Sequence, residues 1–490
     1  MYIFALTLSA LSLVLVTLFF VSHRSFSVYH PLTLYIAFHA LVFVIRPIVG
    51  YYVGYTYIYR AYQFTPTDSD RLTVIFASNL GFICIAIGTM LYGNVPMKFK
   101  SDDATRLERA NLKAIFPWIL LVCLPAGLYS LTTSFEGASL GTGGDGISLD
   151  AATGTFIHTQ GSGYLLEAQL MLATCSALLA WLYRFKLWSL MPLVLFVIFR
   201  AGTGGRWPFV VALTAAGLLY LFDRRLRFAG VRLVAAIAAI SIIFSIIGQD
   251  RGQEIRKWIG TDQTLAKDDG RDLHLMEGMD LGNMEYFEYL VSTVPQKTHT
   301  YGYFLDNLQL FTEPIPRALW KGKPIGPPFN NIFLFDYGHP IGMTRSLPGE
   351  GWYSLGWLGV IIWCSLWGAA LGWIYRKFVE SSQSNLAISG YIVFLTSLIA
   401  VFRDGLVVTL FRYGLFFLMP ILVWAIFAKM KGLPSISFIR QSAAFRRIMR
   451  PRLQDDSPKI GPALDPAFSA LPLAVQRRRL ALARNAGSAG

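Results

Sequence analysis

The chain has 490 residues, 54% of them apolar and 15% charged, and a mean hydropathy of +0.48, more apolar sequence than a soluble core can use. The excess falls in blocks of about 20 residues, the length that crosses a bilayer as a helix, which excludes an ordinary soluble domain. The net charge of +14 imitates a nucleic-acid binder, but the basic residues sort by loop and are accounted for by membrane topology.

Eleven candidate spans follow in chain order: 3–21, 32–51, 72–92, 114–133, 164–183, 187–199, 207–222, 231–247, 352–375, 386–402 and 406–428. The first has no basic residue before it and no small-residue cleavage site after it, which predicts a retained anchor. The cysteines Cys84, Cys123, Cys175 and Cys364 lie in apolar blocks without paired spacing and read as packing residues. Alternate loops carry the basic residues, namely Arg24, Lys98 to Lys113, Arg184 and Lys186, Arg224 to Arg232, Arg376 and Lys377, and the tail. The positive-inside rule then places the N-terminus outside and the C-terminus inside. Residues 1–247 thus form eight spans, 248–351 one large periplasmic loop, 352–428 three more spans, and 429–490 a basic cytoplasmic tail. The tail is rich in Arg, Pro, Ala and Ser and reads as a flexible segment lying on anionic lipid headgroups.

Several patterns imitate chemistry. Gly141, Gly143 and Gly146 have glycine-fingerprint spacing, but no strand precedes them and the loop faces away from nucleotides. No P-loop occurs, so ATP drive is not indicated. Asp68-Ser69-Asp70 could hold a metal with a sugar diphosphate, yet in a short outer loop it reads as a solvated turn. The histidines have no ligand spacing, and no metal or cofactor is implied. His299 and His339, in the large loop, are candidate proton acceptors or plain loop histidines.

Subtracting topology leaves cations that the charge rule does not explain. Arg46 lies inside the second span, Arg200 and Arg206 flank Ala-Gly-Thr-Gly-Gly, and Arg403 and Arg412 surround the last hairpin. A charge at membrane depth costs several kcal/mol without a partner or an aqueous cavity, so each is a functional candidate. Pro47 weakens the helix beside Arg46, and the glycine-rich run after Arg200 argues against helix there. Nine positions apart on one helix, Arg403 and Arg412 would face opposite ways, so a shared cavity requires 403–405 to be turn. Each arginine also has a structural alternative, such as Arg403 with Asp404. Together with Arg317, Lys321, Lys323 and Arg345 on the loop, they predict a polyanion site, since guanidinium fits phosphate bidentately. Trp320, Phe329, Phe333, Phe335 and Tyr337 offer flat rings for the C–H faces of a sugar, or a small loop core. Glu350, set outside a span by Pro348 and Gly349, is the candidate base or an arginine partner.

The run Pro314-Ile315-Pro316-Arg317, Leu319-Trp320, Lys323-Pro324, then Gly349-Glu350-Gly351-Trp352 before Gly356 and Gly359, resembles the oligosaccharide repeat-unit polymerases, the Wzy-type O-antigen polymerase family. The late large loop and an arginine between the last two spans, Arg403, are also similar. The resemblance implies an all-α polytopic membrane protein of about eleven spans with a GT-C-like fold in the bacterial inner membrane. Its expected activity transfers a growing glycan from undecaprenyl pyrophosphate to a lipid-linked repeat unit, with a chain-length regulator or other assembly proteins as partners and no nucleic acid. Arg317, Arg403 and Arg412 would stabilise the leaving diphosphate, with Glu350 as base. Arg46, Arg200, Arg206, Lys321, Lys323, Arg345, Trp320, His299 and His339 would bind substrate. A flippase for the same lipid-linked glycan, or an O-antigen ligase-type transferase, is the alternative.

Overall fold

The computed structural model describes residues 1–100, 102–139, 147–149, 156–158, 167–202, 207–230, 274, 276–278, 281–315, 319–320, 327–338 and 344–442. Residues 1–436 form one unit; of the second, 437–490, residues 437–442 are described and are helical.

The chain begins with α1 (Tyr2–Ser22), α2 (Pro31–Val53), a short α3 (Tyr57–Tyr62), α4 (Asp68–Tyr92) and α5 (Asp103–Ser139). A three-residue antiparallel pair follows, β1 (Ile147–Leu149) and β2 (Phe156–His158), with Ser148 opposite Ile157. Then come α6 (Leu170–Leu182), α7 (Leu187–Gly202), α8 (Trp207–Asp223) and α9 (Asn283–Thr293). The last three are α10 (Ser346–Glu380), α11 (Asn385–Asp404) and α12 (Val407–Met430). Among the described residues, seven helices are long and apolar enough to cross a membrane, and α6, α7 and α8 are shorter apolar helices. The protein is therefore a multi-pass membrane protein. The expected span 231–247 lies outside the described residues, as do the glycine run 141–146 and most of the tail.

Side-chain bonds sort the helix ends into two groups. At one end Arg24 donates to Asn94 (2.6 Å), Arg109 pairs with Asp223 (2.7 Å), Lys100 donates to the Glu380 carbonyl (2.9 Å) and Asn385 donates to Glu108 (2.8 Å). These belong to the loops that the charge rule grouped together, and we call this the basic end. The opposite end carries Arg46, Arg345 and Arg403 and is called the loop end.

The tightest seam runs between α4 and α10. A Cβ on Gly88 would sit 2.9 Å from Gly368, and one on Gly372 would sit 2.7 Å from the Thr89 carbonyl oxygen, so these backbones touch. Gly368 and Gly372 have the G-x-x-x-G spacing that allows such contact between membrane helices.

Local expectations are adjusted in four places. Pro47 does not break α2; its missing N–H is absorbed by a π-helical stretch, Ala40–Ile45, just before it. Helix α7 continues through Ala201 and Gly202, so the start of the glycine-rich run is helical. Asp68-Ser69-Asp70 is not a solvated turn: it opens α4, where the Asp70 carboxylate and the Thr67 hydroxyl cap each other's backbone N–H groups and Asp70 is buried. The 403–405 turn is half realised, because Arg403 and Asp404 close α11 and only Gly405, at φ +82°, turns the chain into α12.

Candidate functional site: a re-entrant helix at the loop end

Helix α10 is two helices joined at a sharp break. Leu355 (φ −155°, ψ 25°) and Gly356 (φ +60°, ψ −138°) leave helical geometry, and Gly356 takes a conformation open to glycine. Residues 346–354 then fold back on the span that follows, so that a Cβ on Gly351 would meet Val360 at 2.7 Å. Along a straight helix those residues would be about 13 Å apart. Every residue from 346 to 354 is buried. The short helix packs against Gly81 well inside α4, through Pro348, and against Gly405 at the α11–α12 hinge. Its C-terminal carbonyls do not go unpaired: Gly302 N–H donates to Tyr353 (2.8 Å) and Tyr303 N–H to Ser354 (3.0 Å). Irregular backbone at membrane depth is tolerated where protein encloses it, as here.

Glu350 stands on this re-entrant helix with 0% exposure. Its Oε2 accepts from Arg345 Nη1 (2.8 Å), while Oε1 accepts from Asn307 Nδ2 (2.9 Å) and Ser354 Oγ (3.3 Å). Arg345 also pairs with Asp306 (2.5 Å) and lies 3.7 Å above the Tyr353 ring. Burial opposes the Arg345 charge, but Asp306, Glu350 and the neighbouring hydroxyls of Tyr353 and Tyr286 outweigh it and hold its pKa well above the ordinary arginine value. Asp306 and Asn307 belong to one 3-10 turn, Leu305–Leu308. Asn307 does a second job, accepting the N–H of Val407, the first residue of α12 (2.9 Å). The candidate base is thus tied both to the large loop and to the hinge of the last hairpin.

Arg46 is held differently. Its guanidinium is 1% exposed, forms an ion pair with Glu285, and donates to the carbonyls of Met276 (2.9 Å), Leu281 (2.6 Å) and Glu277 (3.2 Å). Glu277 in turn accepts the N–H groups of Thr56 (2.9 Å), Tyr57 (2.9 Å) and His274 (3.1 Å). Burial pulls the Glu277 carboxyl upward, but those three N–H donors carry it below its ordinary value. The knot fastens α2 and α3 to α9. From α9, Asn283 reaches the other way, donating to the carbonyls of Arg403 (2.8 Å) and Thr344 (2.7 Å).

The remaining expected residues fall into three groups. Arg403, half-buried, and Arg412 both bear electrostatically on Asp404, and Arg412 pairs with Glu167 (2.9 Å). A Cβ on the adjoining Gly405 would touch the Glu350 Cβ at 3.0 Å, so Glu350, Arg345, Arg403 and Arg412 share one neighbourhood. Arg200 lies nearby in chain terms, donating to Gln169 (2.8 Å), two residues from Glu167. His299 is exposed, and Trp320 is 38% exposed with Phe329 and Phe333 more so. Arg206, Arg317, Lys321, Lys323 and His339 lie outside the described residues. Of the structural alternatives weighed for these cations, carboxylate pairing is seen among the described residues: Arg46, Arg345 and Arg412 each hold a carboxylate. Those acids, Glu167, Glu285, Asp306 and Glu350, balance the cations. Glu285 and Glu288 at helical i, i+3 spacing were the sequence signal for α9, and cation counting passes over it.

No family model, curated protein or solved structure matches this chain. Fold and site define a class: a multi-pass membrane protein whose buried carboxylate is carried on a re-entrant helix and ringed by arginines. An ionisable group so placed is a functional candidate by default.

Proposed function

We propose that the chain is a glycosyltransferase of the repeat-unit polymerase kind, extending a lipid-linked glycan at the periplasmic face of a bacterial inner membrane. One observation carries the reading: Glu350, fully buried on the re-entrant helix, abuts the hinge that separates Arg403 from Arg412. In this reaction an acceptor hydroxyl attacks the anomeric carbon of the growing chain. The bond from that carbon to the diphosphate oxygen breaks, and undecaprenyl pyrophosphate leaves with the electron pair. Glu350 takes the acceptor proton, and Arg403 and Arg412 exchange Asp404 and Glu167 for the diphosphate. Removing one such fixed donor from a developing anion typically slows reaction on the order of a hundredfold.

The test uses purified protein in lipid vesicles with a lipid-linked repeat unit alone. A ladder of lengthened glycans is the expected product, and Glu350→Gln lowers elongation by about 100- to 10,000-fold with its melting midpoint kept. Translocation without lengthening assigns the chain to transport, and a single transfer to a different lipid assigns it to ligation. Normal elongation by Glu350→Gln removes Glu350 from the chemistry.

A further inference from the structure

A second polar site lies at the loop end, away from Glu350. Tyr55, Tyr59, Arg60, Gln63, Phe64 and Arg71 line a groove of about 610 Å³ between α2, α3 and the start of α4. Arg71 is unlike the arginines of the Glu350 neighbourhood. Its guanidinium stands 5.7 Å from the Tyr2 ring and 5.7 Å from the Tyr59 ring, and no ion pair holds it among the described residues. Its Nε is buried and has no hydrogen-bond acceptor among them. Ring faces steady a cation without occupying its N–H groups, so the donors stay free for an incoming anion. Arg60 adds an exposed second cation, and Gln63 an amide.

The acid of α9 that bears on Arg71 does not cancel its charge. Glu288 of α9 accepts the Tyr59 hydroxyl (2.7 Å), and burial, then the neighbouring Glu285, push its carboxyl up to about 8. At neutral pH it is mostly uncharged, and the groove stays positive. Flat rings beside free guanidinium donors suit a ligand with an apolar ring face and an anionic substituent.

We propose that this groove binds an anionic sugar, with Arg71 and Arg60 taking its carboxylate or phosphate and Tyr55, Tyr59 and Phe64 covering its C–H faces. The site goes beyond glycosyl transfer, because recognition here involves none of the Glu350 neighbourhood. It would select repeat units that carry an acidic residue.

The experiment is calorimetric titration of the full-length protein in phosphatidylcholine nanodiscs with trigalacturonate, glucose 6-phosphate and, as the neutral control, maltotriose. At least one anionic probe is expected to bind and maltotriose is not. Arg71→Gln should weaken that binding at least tenfold and Arg60→Gln by a smaller factor. Arg71→Lys, which keeps the charge, serves if the glutamine variant does not fold, and should retain binding with reduced affinity. Failure of both anionic probes, equal binding of maltotriose, or undiminished affinity in Arg71→Gln overturns the proposal. Loss of probe binding when phosphatidylglycerol is added overturns it too, assigning the groove to lipid headgroups. Binding without any elongation activity would break the polymerase reading and leave this one standing.

Discussion

Arg46, 1% exposed, and Arg345, 14% exposed, both sit at the loop end, and the structure uses them in opposite ways. Arg46 gives three of its bonds to backbone carbonyls of the segment leading into α9, so its geometry depends on main chain. Among the described residues Arg345 is bound by side chains, Asp306, Glu350 and the Tyr286 hydroxyl, above a tyrosine ring. A guanidinium on carbonyls fixes a fold and offers little to exchange. One between two carboxylates can release either, since it keeps the other as partner. The contrast separates a fastening from a site: the first holds α9 in place, and the second holds a proton acceptor.

Substitution tests the contrast most directly. Arg46→Ala leaves Glu285 buried without its cation and several carbonyls unpaired, and should lower stability by about 3–5 kcal/mol, read as a fall in the melting midpoint in detergent. Replacing Glu285 with Gln in the same chain should recover little, because the carbonyls stay orphaned. Arg345→Ala has a similar cost, stranding Asp306 and Glu350, but there Glu350→Gln should restore part of the midpoint by removing the more deeply buried of the two charges, without restoring elongation. If the two rescues behave alike, the distinction between the arginines is lost.

The hinge gives a smaller effect. Gly405 sits at φ +82°, and a Cβ there would lie 2.1 Å from the Ser346 carbonyl oxygen. Gly405→Ala should destabilise by about 2 kcal/mol from backbone strain alone. Because the added methyl also pushes on the re-entrant helix, elongation should fall further than the midpoint shift explains. A variant that melts early yet extends glycan at the normal rate would detach the hinge from the site.

Much of this architecture was legible in one dimension. Apolar blocks mark the helices, and Lys and Arg placement groups the ends that Arg24–Asn94 and Arg109–Asp223 now join. Glu350 stood out because Pro348 and Gly349 set it beside an apolar run. The acids that neutralise the arginines were not legible, since their pairing is long-range: Arg46 and Glu285 are 239 residues apart. The re-entrant bend was hidden too, because Leu355-Gly356 sits inside a run that reads as one continuous helix. Helix α9 was passed over for a different reason: its one mark was the i, i+3 pair Glu285 and Glu288, and with nearly every residue buried it has no exposed polar face to set up a period.

That burial leads to the most gradual effect, spread over several pH units, and it falls on the Arg46 side of the contrast. Glu288 meets Glu285 on its own helix, Tyr59 from α3, Arg71 from α4 and Arg46 from α2. Burial, then Glu285, raise it from an ordinary 4.5 to about 8, and the two arginines and the Tyr59 hydroxyl only partly oppose this. Between those values the folded chain keeps a proton that the unfolded chain releases, so stability should fall as pH rises through the window and level off above it. The slope from this group is at most about 1.4 kcal/mol per pH unit. Glu288→Gln keeps an acceptor for Tyr59 and cannot ionise, so its midpoint should match the parent near pH 5 and exceed it increasingly toward pH 8. Parallel curves for the two proteins would mean that Glu288 is already ionised, that the groove beside Tyr59 carries a fixed negative charge, and that the Arg46 knot tolerates a second buried carboxylate unaided.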